Sequence, residues 1–177
     1  VAVYKRLISA GHNDNWKWAG LTGLAKCSPA DAMAPLTDIL DDLKVKKQHV
    51  RALGLLATLP GEKVTQVMIV RLAKSSGSGR VLLLNALAQR GDQSAADEVA
   101  ILLNDQDTDV KTAAIAAIGK LGGATHIAAL AKIAATDNNP TARASLASLP
   151  GKNVNTALIA GISEGKPAIR AEIIAAA

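Results

Sequence analysis

"DTDVKTAAIAAIGKLGG", Asp107–Gly123, is a helix-length run made almost entirely of small side chains. Acids open it, Lys111 stands near its start, and a double glycine closes it. An acid at a helix start accepts hydrogen bonds from the free backbone N–H groups there, and glycine readily ends a helix. Val110, Ala113, Ala114, Ala117, Ile118 and Leu121, with Ile115 beside them, spread apolar surface over a wide arc. A helix apolar over so much of its circumference must be covered from more than one side. Small residues suit that demand, because Ala and Gly let neighbouring axes approach while Leu and Ile interdigitate.

The same punctuation recurs along the chain. Ser28-Pro29, Pro60-Gly61, Gly91-Asp92, Gly122-Gly123 and Pro150-Gly151 each follow an apolar helical run, at intervals of 28 to 32 residues. More polar turns alternate with them: "DDLK" at Asp41, "SSGSG" at Ser75, "NDQD" at Asn104, "DNNP" at Asp137 and "EGKP" at Glu164. Each unit is therefore two short helices. The first of each pair carries a single stripe at i, i+3, i+4 and i+7, as in Ala96, Val99, Ala100 and Leu103, or Ile127, Leu130, Ala131 and Ala134. The second is apolar over more of its surface.

A fixed period of this length signals stacked helix pairs. The expected fold class is all-α, an α-solenoid or alpha-alpha superhelix of about five to six pairs. The expected units are 1–28, 29–60, 61–91, 92–122, 123–150 and 151–177, within a single domain spanning 1–177. The unit ending at Pro150 is short by one turn.

Composition agrees. The chain is 49% hydrophobic with only 2% aromatics and no Phe, so its core is aliphatic. That favours close-packed helices over a β-sandwich, whose strands draw on aromatic and β-branched residues. The net charge of +5 suits an anionic partner or simple solubility. The single Cys27 allows no internal disulfide and no Cys-based metal spacing. No apolar run reaches the roughly 18 residues of a membrane span, and "VAVYKRLISAG" lacks the features of a signal peptide. A soluble protein, cytoplasmic or periplasmic, is expected. Both ends read as cut from something longer, and the apolar "IRAEIIAAA" offers a face for self-association.

"LLNDQDTDVKTAAIAAIGKLGG" resembles the HEAT repeat, especially the short Ala-rich bacterial kind also called phycobilisome-lyase-like. The same form recurs as "HVRALGLLATLPG", "GRVLLLNALAQRGD", "TARASLASLPG" and "AIRAEIIAAA". The resemblance implies that second helices line a concave face. It also implies a basic residue early in each second helix, paired with an Asp of the preceding turn. Here that ladder is Lys17, Arg51, Arg80, Lys111, Arg143 and Arg170. Asp14 stands near Lys17, and Asp107 and Asp109 near Lys111, whereas Arg51, Arg80 and Arg143 follow no nearby acid. The second helices carry mostly basic charge and the first helices most of the acids, so the concave face is expected to be positive.

No catalytic constellation assembles in the sequence. His12, His49 and His126 lie in separate units, without the His-Glu pairs of HEAT-like iron hydroxylases, so no metal or cofactor is expected. "SSGSGR" leads into a helix as a phosphate loop would, but lacks the GK[ST] ending and reads as a turn. Cys27 reads as a small buried hydrophobe. Trp16 and Trp18 stand about 200° apart on a helix. Alignment places Trp16 at the core position of Val110, and Trp18 at that of Thr112, nearer the concave face.

The function expected is a non-catalytic scaffold that binds a protein partner on a mildly basic concave face. Trp18, Lys17, Arg51, Arg80, Lys111, Arg143 and Arg170 are the candidate contacts. Two alternatives stand beside it: a nucleic-acid-binding HEAT-like protein, and a structural accessory segment of a multidomain bacterial protein. Base excision, as in HEAT-like DNA glycosylases, would have only Trp16, Trp18 and Asp14 to draw on.

Overall fold

A computed structural model describes residues 1–9, 13–41, 46–164 and 166–176. His12 and most of the "DDLK" turn lie outside the described residues. Among the described residues there are twelve α-helices and no strand. They run as six pairs: α1 (Ala2–Ser9) with α2 (Asp14–Cys27), α3 (Pro29–Asp41) with α4 (Lys46–Thr58), and α5 (Glu62–Lys74) with α6 (Gly77–Arg90). Then come α7 (Ala96–Ile101) with α8 (Thr108–Leu121), α9 (Ile127–Asp137) with α10 (Pro140–Ala147), and α11 (Val154–Glu164) with α12 (Pro167–Ala176). Short 3₁₀ turns at Gln93–Ala95 and Leu102–Asn104 bracket α7, and another at Ala124–His126 leads into α9. The fold is an all-α solenoid of helix pairs.

Local chemistry sets the ends. The Asp107 carboxylate accepts from the Asp109 and Val110 N–H groups, and Asn139 caps α10 through the Ala142 N–H in the same way. Gly91 closes α6 at φ 72°, a conformation open to glycine at no steric cost. The shortened unit anticipated before Pro150 appears as the eight-residue α10, against fourteen residues for α8.

The chain divides into two compact units, Val1–Val64 and Thr65–Ala177. In the first, α1 packs on α2, α2 on α3 and α3 on α4. Tyr4 of α1 lies directly on Gly23, at a place a side chain would fill. In the second, α6, α8, α10 and α12 pack in succession, and α9 meets α10, α11 and α12.

Helix α8, the run that opened the reading, buries Val110, Ala113, Ala114, Ile115, Ala117, Ile118, Gly119 and Leu121. A fully buried Leu or Ile contributes about 1.5–3 kcal/mol, so four such aliphatics on one helix (Val110, Ile115, Ile118, Leu121) anchor the second unit. Its small residues have a specific neighbour. A Cβ on Gly119 would stand 2.9 Å from the Ser145 Cα, so α8 and α10 touch almost backbone to backbone. No helix of the described residues is long and apolar enough to cross a membrane.

One expectation is corrected here. Cys27, read as buried, is exposed. Its sulfur turns back to the Leu24 carbonyl at 3.8 Å rather than into the core, although it occupies the helix position that Leu121 fills in α8.

Candidate functional site

The ladder is real, but its rungs point forward. Arg80 donates through Nη1 to Asp105 Oδ2 at 2.7 Å, 25 residues on. Lys111 Nζ donates to Asp137 Oδ2 at 2.7 Å, 26 residues on. Arg143 grips Glu172 with two bonds, Nε and Nη2 each at 2.7 Å, 29 residues on. Each cation therefore spans from its own second helix to a carboxylate of the next repeat, and the expected pairing with an Asp of the preceding turn is not formed. The reason lies in the competing work of those acids. Asp107 is committed to capping α8, and Asp14 accepts from Gln48 at 3.4 Å. The partner of Arg80 is doubly fixed, since Asp105 also accepts from the Asp107 N–H at 2.9 Å.

These pairs shift proton equilibria in the direction their geometry requires. The Lys111 ammonium, helped by the Thr136 hydroxyl, holds the Asp137 carboxyl below its ordinary range. Arg143 does the same to Glu172, and Glu172 in return raises the Arg143 guanidinium. A parallel brace joins first helices at the other end of the chain. Ser28 and Lys5 lower Asp31, with Lys5 Nζ 2.9 Å from the carboxylate and 26 residues before it.

Arg51 behaves differently. Its guanidinium lies over the Trp18 ring, 4.4 Å from the centroid. Among the described residues no carboxylate pairs with it. Lys17 is half-buried on α2, and Arg170 is exposed on α12. The carboxylates nearest one repeat beyond Lys17, at 41 and 42, have no described side chain.

The two tryptophans exchange the places expected of them. Trp18 is buried at 3% exposure and Trp16 is 54% exposed. Alignment with α8 fails in the first turn of α2 because α1 meets α2 further along, at Gly20 and Gly23, while Arg51 covers Trp18 from α4. Trp18 is thus a platform beneath a cation, and its indole is withdrawn from the surface it was expected to supply. Acrylamide quenching should show the difference. Trp16→Phe is expected to leave a blue-shifted, poorly quenched emission, and Trp18→Phe a red-shifted, readily quenched one. The opposite pattern would reverse the assignment.

A cleft of ≈ 490 Å³ that the sequence did not announce lies between α7 and α9. Beside it α7 is only six residues long and continues as the 3₁₀ turn Leu102–Asn104. His126 lines it, with its side chain 9% exposed. The His126 Nδ1 accepts from the Gly123 N–H at 3.2 Å, so the neutral ring carries its proton on Nε2. A metal ligand needs a free lone pair at that nitrogen, so this ring is set as a donor and helix cap. Asp97, 3.6 Å from Nε2, is too far for a hydrogen bond.

Helix pairs stacked in sequence and stapled by cation–carboxylate rungs define a helical-repeat protein. Residues 65–150 match the family model of HEAT repeats. That stretch is thereby a run of HEAT repeats. No curated protein matches its sequence. HEAT repeats commonly serve as protein-interaction scaffolds.

Proposed function

We propose that this chain is a non-catalytic scaffold whose second helices present a binding face to a protein partner. The observation that carries this reading is the narrow exposed stripe those helices keep. On α8 it is Thr108, Thr112, Ala116 and Lys120, on α6 Ser78, Asn85 and Gln89, and on α10 Ala144, Ala147 and Ser148. On these three helices what remains exposed is mostly small and uncharged, with Asp109 and Lys120 the charged exceptions on α8, while α4 keeps Lys47 and Arg51 exposed. Such a surface suits close approach of another folded chain.

The forward rungs bear on the choice of partner. Nucleic acid is held by many open cations along its phosphates. Arg80, Lys111 and Arg143 are instead matched by carboxylates within the fold, which favours a protein over a polyanion.

Photo-crosslinking residues test the reading. They would be placed on second helices at Ala19 and Thr112, and on first helices at Asp38 and Lys132, all four exposed. Adducts of one defined mass from Ala19 or Thr112, absent from Asp38 and Lys132, are expected in a lysate of the source cells. Equal labelling from both faces, or no adduct, would remove the reading.

A further inference from the structure

We propose that Arg51, held over Trp18, is the anchor for an acidic side chain of the protein partner, an inference that rests on the scaffold reading above. Its starting point is a rung that no described carboxylate closes. Arg80, Lys111 and Arg143 each meet a carboxylate supplied by the following repeat. For Arg51 the turn at the matching distance is Ser75–Gly79, which contains no acid. No carboxylate pairs with it among the described residues, and the residue is exposed.

In place of an ion pair Arg51 has an aromatic floor. Trp18 of α2 is almost fully buried, with the Arg51 guanidinium carbon 4.4 Å above its ring. Stacking on an indole restrains a guanidinium without consuming its N–H donors, which lie in its own plane and point outward. Packing alone does not call for a bulky buried residue beneath a cation that no described carboxylate pairs with. Such a floor suits a cation that must be ready for an incoming acceptor.

The surroundings reinforce the charge. Lys47 is exposed one turn earlier on α4, and residues four apart share a helix face. Lys17 flanks Trp18 on α2. The carboxylate on this part of α2, Asp14, accepts from Gln48 at 3.4 Å.

The fold itself displays the recognition mode. Arg143 completes its fork on Glu172 with two 2.7 Å bonds, and a partner's Asp or Glu would complete Arg51 in the same way. One stacked guanidinium, with Lys47 a turn earlier on the same helix, fits a single carboxylate or a short acidic stretch. That pair falls short of the train of contacts that a phosphate backbone uses.

The test uses the full 177-residue chain and a fluorescein-labelled octaglutamate peptide, followed by anisotropy at about 50 mM salt, where charge contacts are weakly screened. Saturable binding is expected, with Arg51→Ala weaker by about tenfold or more. Arg51→Lys keeps the charge but loses the fork, and should fall close to the Ala variant. Lys132→Ala, on a first helix, should bind as the native chain does, and circular dichroism melts confirm that each variant is folded.

Absence of octaglutamate binding by the native chain would overturn the proposal. So would an Arg51→Ala or Arg51→Lys variant that binds undiminished, or tighter binding of a duplex DNA of matched charge. Cross-links from Thr112 that persist in Arg51→Ala would leave the scaffold standing without this anchor. Loss of adducts from every second-helix position would remove the scaffold reading itself.

Discussion

Gly119→Val is expected to cost about 3 kcal/mol, the upper end for inserting methylenes into a packed interior. The obstacle is backbone. A Cβ at Gly119 would stand 2.9 Å from the Ser145 Cα, Cβ and Oγ together, so no rotamer change on α10 relieves the clash. Moving α10 away would also break the Ser148 hydroxyl's bond to the Gly119 carbonyl at 3.2 Å. A further loss follows from the β-branch, which stiffens χ1 in a helix. For a chain of this size about 3 kcal/mol corresponds to a Tm lower by roughly 6–12 °C.

The matched control is Gly54 in α4, which has no atom within 4 Å of its virtual Cβ. Gly54→Ala should therefore stabilise by about 0.5–1 kcal/mol, because alanine restricts the unfolded chain and fits the helix. Thermal melts of the two variants decide the matter. A Gly119→Val protein within about 1 kcal/mol of native would mean that the small residues of α8 are not there to let α10 approach.

That contrast shows what was legible in the sequence and what was not. Helix pairs could be read because their ends are written locally: Asp107 and Asn139 cap within three residues, and Gly91 stops α6 by its own conformation. The arc of Val110, Ile118 and Leu121 could be read because its period is that of one helix. The ladder's partners could not, since Asp105, Asp137 and Glu172 stand 25 to 29 residues from their cations. A window of four residues sees only Asp14, Asp107 and Asp109. The usable signal was an acid 25 to 29 residues ahead of each of these cations, in a polar turn for Asp105 and Asp137 and inside α12 for Glu172.

Trp16 and Trp18 failed for a related reason. Counting from the cap places the first turn of α2 on that of α8, but burial there is decided by where α1 and Arg51 lie. The cleft beside His126 is lined from α7, α8 and α9 together, a juxtaposition that no single helix's pattern reveals.

Asp92→Ala is expected to destabilise the chain by about 2–4 kcal/mol, through a polar node that apolar periodicity also overlooked. Thr65 is fully buried and donates to Asp92 Oδ2 at 2.5 Å. Arg90, its side chain only 9% exposed, donates from Nε to the Thr65 hydroxyl at 2.6 Å and stands 3.8 Å from the same carboxylate. Without the carboxylate, a buried hydroxyl loses its acceptor and a nearly buried guanidinium loses compensating charge. Asp92→Asn keeps an acceptor oxygen and should cost about half as much.

The same node predicts a response to acid. Thr65 and then Ser94 hold the Asp92 carboxyl below its ordinary range, as other partners do for Asp31, Asp137 and Glu172. For a group depressed on folding, the unfolded chain binds the proton first, near pH 3.9 for Asp and about 4.3 for Glu. The contribution of these four carboxylates is therefore complete above about pH 5, and it is lost as pH falls through the lower, folded values. Urea titrations of native chain and Asp92→Asn between pH 6 and pH 3 should show native stability declining below about pH 4, with a shallower decline in the variant. Native stability that rises on acidification, or an identical slope in both proteins, would mean that Asp92 is not held ionised by Thr65 and Ser94.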